Sequence, residues 1–175
     1  MRKRINYTLE KRMDNAIITL SSALRESGKN EKPVILHSIS VGILLFNLGY
    51  EADIVISGIL HDILEDTGYG VNKLSDEYGE AITNIVMAVS YNNEIKDKLK
   101  QNEDIFIRCE LNGAKALIVK CADLIDNMPY ISLIEDKNLY KTVFQKYKDF
   151  INYSNKIKDE QVFSKYMEVY RNHIF

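Results

Sequence analysis

The sequence predicts an all-α protein, and three observations carry that reading. Two prolines and eight glycines in 175 residues are too few turn-formers for a fold of many short strands. Apolar residues return with the 3.6-residue period of a helix over long stretches. Those stretches are separated by Gly-, Asn- and Ser-containing breaks at helix-length intervals.

Leu9, Met13, Ala16, Ile17, Leu20 and Leu24 share one face, so the first helix is expected from about Thr8 to Glu26. Ser27-Gly28-Lys29-Asn30 reads as a loop, and Pro33 suits the first turn of the next helix. That helix, Val34 to Leu48, is apolar nearly all round and is expected at the centre; Gly49 ends it. A third helix is expected from Ala52 to Leu64, closed by the turn Thr67-Gly68-Tyr69-Gly70. Shorter helices follow at Val71 to Tyr78 and Glu80 to Val89. Tyr91 to Gln101 has no clear period and reads as an exposed loop. Asn102 to Glu110 reads as a helix broken at Asn112-Gly113, and Lys115 to Met128 as a strong helix stopped by Pro129. Glu135 to His173 holds two more helices rich in Tyr and Lys. No repeat or linker divides the chain, so residues 1–175 are expected to form one domain.

The net charge of −2 gives no basic field for nucleic acid, which is not an expected partner. No apolar run reaches the ~18 residues of a membrane span. Met1-Arg2-Lys3-Arg4 is basic, but no apolar segment follows it, so no signal peptide is expected. Cys109 and Cys121 form no C-x-x-C pair and suit a reducing, cytoplasmic setting. The oligomeric state is left open.

The chemistry concentrates in His61-Asp62-Ile63-Leu64-Glu65-Asp66-Thr67-Gly68. On a continuous helix, His61, Asp62, Glu65 and Asp66 fall in one arc of about 140°. Ile56, Ile59, Leu60, Ile63 and Leu64 fall opposite, and Gly58 lies in the polar arc, where a missing side chain leaves room. Three carboxylates this close repel one another unless a cation offsets them. His37 sits on the apolar second helix, beside Val34, Val41 and Leu44. Alone, such a histidine is more often a core residue. Asp123 interrupts the apolar run Ala116 to Ala122, where a lone carboxylate is costly; an ion pair with Lys120 is the plain alternative. Taken together, His37, His61, Asp62 and Asp123 make an N/O set suited to a divalent transition metal. Such an ion polarises phosphorus and lowers the pKa of bound water. Glu65 and Asp66, one turn beyond, can orient that water or protonate a leaving oxygen. A solvated helix end is the bland reading of the same pair, although acidic residues there oppose the helix dipole.

The order His37, His61-Asp62, Asp123 resembles the H…HD…D signature of the HD metal-dependent phosphohydrolases. More closely, the chain resembles the hydrolase domain of the RelA/SpoT proteins and the stand-alone small alarmone hydrolases. Lys29 and Pro33 ahead of His37, the run His61 to Thr67, Gly113-Ala114-Lys115, Val119 to Asp123 and Asn127-Met128 carry the likeness. It covers about Ser21 to Leu133. The resemblance implies a single HD-type helical domain that removes the 3′-pyrophosphate from guanosine tetra- or pentaphosphate, usually with manganese. It implies metal ligation by His37, His61, Asp62 and Asp123, catalysis by Glu65 and Asp66, and substrate contacts from Lys29 and Asn127. No synthetase domain is expected, since the chain ends at Phe175.

The chain also departs from that pattern. Gly28 stands where the family has an Arg associated with the guanine base, and Val34 stands where it has Tyr. Ser38 follows the first histidine instead of Pro, and Leu124 and Asp126 replace an Arg and a His. The metal half is intact and the base-reading half is altered, so weaker base selectivity is expected unless a residue of the Tyr91 to Gln101 loop supplies it. Two other readings stay open: a phosphatase for another nucleotide or phosphorylated cofactor, and a non-catalytic metal- or nucleotide-binding module. Retention of Glu65 and Asp66 speaks against the second of these.

Overall fold

The computed structural model describes residues 7–28 and 33–174. Among them there is no strand. Ten α-helices follow in order: α1 Tyr7–Ser27, α2 Val34–Asn47, α3 Ala52–Leu60, α4 Ile63–Asp66, α5 Val71–Tyr78, α6 Glu80–Val89, α7 Lys98–Asn112, α8 Ala114–Asn127, α9 Lys137–Tyr153 and α10 Gln161–Ile174. A 3₁₀ segment, Met128–Leu133, continues α8, and a second one, Asn155–Ile157, precedes α10.

Two helices are buried nearly all round. In α3 every residue from Ile54 to Leu60 is buried, and in α8 every residue from Ala116 to Ile125. α3 packs on α1, α2, α6 and α8, while α8 packs on α2, α3, α6, α7 and α10. Helices this apolar belong at the centre. α2, expected there too, has an outer face: Leu36 and Ile43 are exposed.

α2 and α3 form a helical hairpin, so the N-terminal end of α2 lies beside the C-terminal end of α3. Their crossing is close. A Cβ on Gly42 would overlap Ile59 Cγ1, and one on Gly58 would lie 2.6 Å from Leu45 Cδ1. Gly58 therefore marks tight packing, not the open space expected on a polar arc. The approach brings His37 and His61 to the same end of the pair.

The structure corrects the expected third helix. It breaks after Leu60, and α4 starts at Ile63. His61 Nδ1 donates to the Gly58 carbonyl at 2.8 Å, the acceptor that a continuous helix would offer to the Asp62 amide. The Asp62 carbonyl then accepts from the amides of Glu65 and Asp66 at 3.1 and 3.0 Å, opening α4. Thr67 closes it through a bond from Oγ1 to the Ile63 carbonyl at 2.6 Å.

A second correction concerns the expected loop from Tyr91 to Gln101. Helix α7 begins at Lys98, because the Asp97 carboxylate accepts from the amides of Leu99 and Lys100 and caps it. Gln101 is buried and ties back to the Asn92 carbonyl at 3.0 Å. Arg108 bonds the carbonyls of Met87, Ala88 and Ser90, so the C-terminus of α6 and the start of this loop are held in place. Pro129 does not stop the chain's helical course; it occupies the first turn of the 3₁₀ segment, where its missing amide is harmless.

Candidate metal centre and active site

A cavity of about 320 Å³ opens where α2, the α3–α4 turn, α8 and α9 meet. Its wall includes His37, Asp62, Glu65, Tyr91, Lys120, Asp123, Asp126, Asn127 and Lys146. His37 reaches it from α2, Asp62 from the turn, Asp123 and Asn127 from α8. His61 lies just behind, 1% exposed.

The donor atoms converge. His37 Nε2 lies 3.1 Å from His61 Nε2, and Asp123 Oδ1 lies 3.2 and 3.7 Å from the two. Asp62 Oδ1 is 3.2 Å from His61 Nε2, and its Oδ2 is 4.0 Å from His37 Nε2. One donor atom each from His37, His61 and Asp123 fits within 4.8 Å of the others. The structure thus brings all four sequence-selected residues to one point.

Hydrogen bonds on the far side of each ring fix which nitrogen faces inward. His61 Nδ1 must donate to the Gly58 carbonyl, so whenever the ring is neutral its Nε2 carries the lone pair. His37 Nδ1 faces Asp126 Oδ2 at 2.7 Å, which does the same for His37. Two imidazole lone pairs and a carboxylate then point at one another in a buried place. Such an arrangement is repulsive without a positive charge between them, and the donor set fits a divalent ion. The proton affinities agree. Burial opposes charge on His37, but Asp123, Asp126 and Asp62 overcome it and push its pKa from 6.5 up to about 10. His61 is raised too, against burial, by Asp62 and Asp123.

Asp123 is the most constrained of the four. Burial disfavours its charge, yet Lys120 and both histidines hold its pKa well below the usual carboxylate range. Lys120 Nζ pairs with Asp123 Oδ2 at 2.8 Å, so the plain ion-pair reading holds for one oxygen. The other faces the histidines and also accepts from Asn127 Nδ2 at 2.6 Å. Asn127 is therefore a support for Asp123 as well as part of the cavity wall.

Glu65 faces the cavity from α4. Its Oε1 accepts from the Tyr91 amide at 2.6 Å. Burial raises its pKa, with Lys120 pulling the other way, a shift in the direction that serves a group taking and returning a proton. Asp66, next along the short helix, is half-buried and is not part of the cavity wall. Lys29 lies outside the described residues.

Three wall residues escape a reading of the sequence. Asp126 could have been found, because it stands one turn beyond Asp123 on the same helix. Tyr91 lies in the stretch whose pattern reads as an exposed loop, and nothing local marks Lys146, which reaches the cavity from α9. An aromatic does stand at the cavity mouth, but it is Tyr130 of the 3₁₀ segment, 57% exposed.

Residues 16–150 match the HD domain family. The guanosine-3′,5′-bis(diphosphate) 3′-pyrophosphohydrolase of Aquifex aeolicus is 27% identical over 115 residues, which is 65% of this chain and 16% of that protein. A probable GTP pyrophosphokinase of Mycobacterium leprae is 32% identical over 111 residues, 62% of this chain and 14% of that one. The chain thus spans about one sixth of the length of such relatives. A solved structure, described as a metazoan ortholog of SpoT that hydrolyzes ppGpp, superposes with a TM-score of 0.77 over 94% of this chain and 97% of that one. At 16% identity the likeness is one of fold.

Proposed function

The chain belongs to the HD domain family, and from that premise we propose that it is a metal-dependent pyrophosphohydrolase acting on guanosine 3′,5′-bis(diphosphate). The observation that carries the proposal is the convergence of His37, His61 and Asp123 on one point, with Asp62 beside it and Glu65 on the same cavity wall. The relatives include both a hydrolase and a pyrophosphokinase by name. The HD match and this N/O ligand set favour hydrolysis.

In this reading His37, His61, Asp62 and Asp123 hold the ion; two imidazoles and two carboxylates suit a divalent transition metal, and manganese is the one the family resemblance implies. The ion supplies Lewis acidity to water and to a phosphoryl oxygen. The chain's own residues do the rest. Asp126, the Gly58 carbonyl and Asn127 orient the ligands. Glu65, held by the Tyr91 amide, takes a proton from the attacking water or gives one to the departing 3′ oxygen. Asp66 completes the acidic pair from one residue beyond. Asn127 and Lys29 are the proposed substrate contacts. No helix among the described residues is long and apolar enough to cross a membrane.

The test is turnover across a panel of phosphorylated nucleotides, with manganese and after chelation. The fastest turnover is expected on guanosine 3′,5′-bis(diphosphate), with none after chelation. Faster turnover of another phosphorylated compound would move the assignment to that substrate. Metal-loaded protein that binds these nucleotides but turns none over would overturn the enzyme reading.

A further inference from the structure

Three ammonium groups surround one aromatic ring. The Nζ atoms of Lys120, Lys146 and Lys98 lie 5.1, 5.4 and 6.0 Å from the Tyr91 ring centroid. Lys120 is committed to Asp123. Lys98 bonds Gln101 Oε1 at 3.0 Å and is not part of the cavity wall. Lys146 differs from both. It lines the cavity, its Nζ donates to the Tyr91 hydroxyl at 2.7 Å, and among the described residues it has no carboxylate partner. An ammonium has three protons, so two remain for a ligand. The Tyr91 hydroxyl donates its own proton to Asn102 Oδ1 at 3.3 Å, so its part is to hold the Lys146 ammonium in place.

The cavity has a direction. Lys120, Asp123 and Asn127 stand at successive turns of α8, spanning about 10 Å at 1.5 Å per residue, and Tyr130 lies a turn further on. The metal ligands are in the middle. Lys120, Tyr91 and Lys146 make a cationic end, and Tyr130 stands at the other. A nucleoside suits an exposed aromatic, while the cationic end suits phosphate.

We propose that Lys146, positioned by the Tyr91 hydroxyl, is an anion subsite for the terminal phosphate of a diphosphate whose inner phosphorus lies at the metal ligands. Its place in the reaction rests on the function proposed above. Water adds to the inner phosphorus, the bond from that phosphorus to the 3′ oxygen breaks, and the 3′ oxygen takes a proton. Pyrophosphate leaves with its terminal phosphate still on Lys146, which stays protonated throughout.

The test is calorimetric binding of inorganic pyrophosphate and of orthophosphate to manganese-loaded protein. Wild type should bind pyrophosphate more tightly. Lys146→Gln should weaken pyrophosphate about tenfold, the scale of a lost charge-assisted hydrogen bond, with orthophosphate affinity and metal content unchanged. Lys146→Arg should restore the preference. A Lys146→Gln protein with an unchanged pyrophosphate-to-phosphate ratio, or a wild type that binds both anions equally, overturns the subsite. The outcome is separable from the function proposed above. If wild type releases no pyrophosphate from guanosine 3′,5′-bis(diphosphate), that function falls, and the binding ratio in Lys146→Gln still decides the subsite.

Discussion

Asp126 Oδ2 lies 2.7 Å from His37 Nδ1, and a carboxylate in that position sets the tautomer and aim of a ligand histidine. Asp126→Ala should therefore lower metal affinity about 10- to 100-fold while the protein stays folded. Unchanged affinity would show that Asp126 does not orient the ring. His61→Ala and Asp123→Ala should strip the metal altogether, as read by metal content per chain. The raised pKa of His37 adds a pH dependence. With its pKa pushed from 6.5 to about 10, the ring of metal-free protein is protonated at neutral pH, and an ion must displace that proton. Metal binding should thus release protons and tighten as pH rises through neutrality, which titration in buffers of different ionisation enthalpy can count. The same raised pKa contributes stability to metal-free protein below about pH 6.5, and that contribution fades as pH rises toward about 10. Glu65→Gln should keep metal and stability but lower turnover by roughly 10²-fold or more; full activity would remove Glu65 from the chemistry. The convergence of His37, His61, Asp62 and Asp123 was legible in the sequence because each polar residue sits in or beside an apolar run. The supports were less so. Asp126 bonds across helices, and Lys146 arrives from a helix with no motif. Gly28 has φ +66°, so it ends α1 in a conformation that glycine adopts without strain. Gly28→Arg should lower stability by about 1 kcal/mol.

At the scale of the helix, the site depends on how closely α2 and α3 approach. Gly42 faces Ile59 at Cγ1, next to the branched Cβ, which cannot move far, whereas Gly58 meets the flexible end of Leu45. Gly42→Ala should destabilise by about 1–3 kcal/mol, read as a fall in Tm, and Gly58→Ala by less. Equal and negligible effects would mean that the hairpin absorbs the extra methyl. Helix existence was legible from periodicity, and α5 and α6 end where the pattern says. The errors fall where a side chain competes with the backbone. The His61 ring takes the Gly58 carbonyl and breaks a helix that periodicity alone would continue. The Asp97 carboxylate starts α7 earlier than the apolar pattern does. Both are local polar bonds, which a hydrophobic period does not register.

Across the whole molecule, the ligands come from α2, the α3–α4 turn and α8, which are far apart in sequence, so an ion there ties the fold together. Metal bound only by the folded state stabilises it by about 2.7 kcal/mol at a free concentration of 100 Kd, and chelation should lower Tm accordingly. The motif-bearing stretch ends near Leu133, yet α9 supplies Lys146 to the cavity. Helix α9 is thus part of the site's wall, something no local pattern announces. The chemistry proposed for this cavity is removal of a diphosphate as a unit. The most direct measurement identifies the anion released from guanosine 3′,5′-bis(diphosphate) by manganese-loaded protein. The account predicts pyrophosphate with guanosine 5′-diphosphate as the other product, and no release from Asp123→Ala. Orthophosphate as the first product, or equal release from Asp123→Ala, would contradict it.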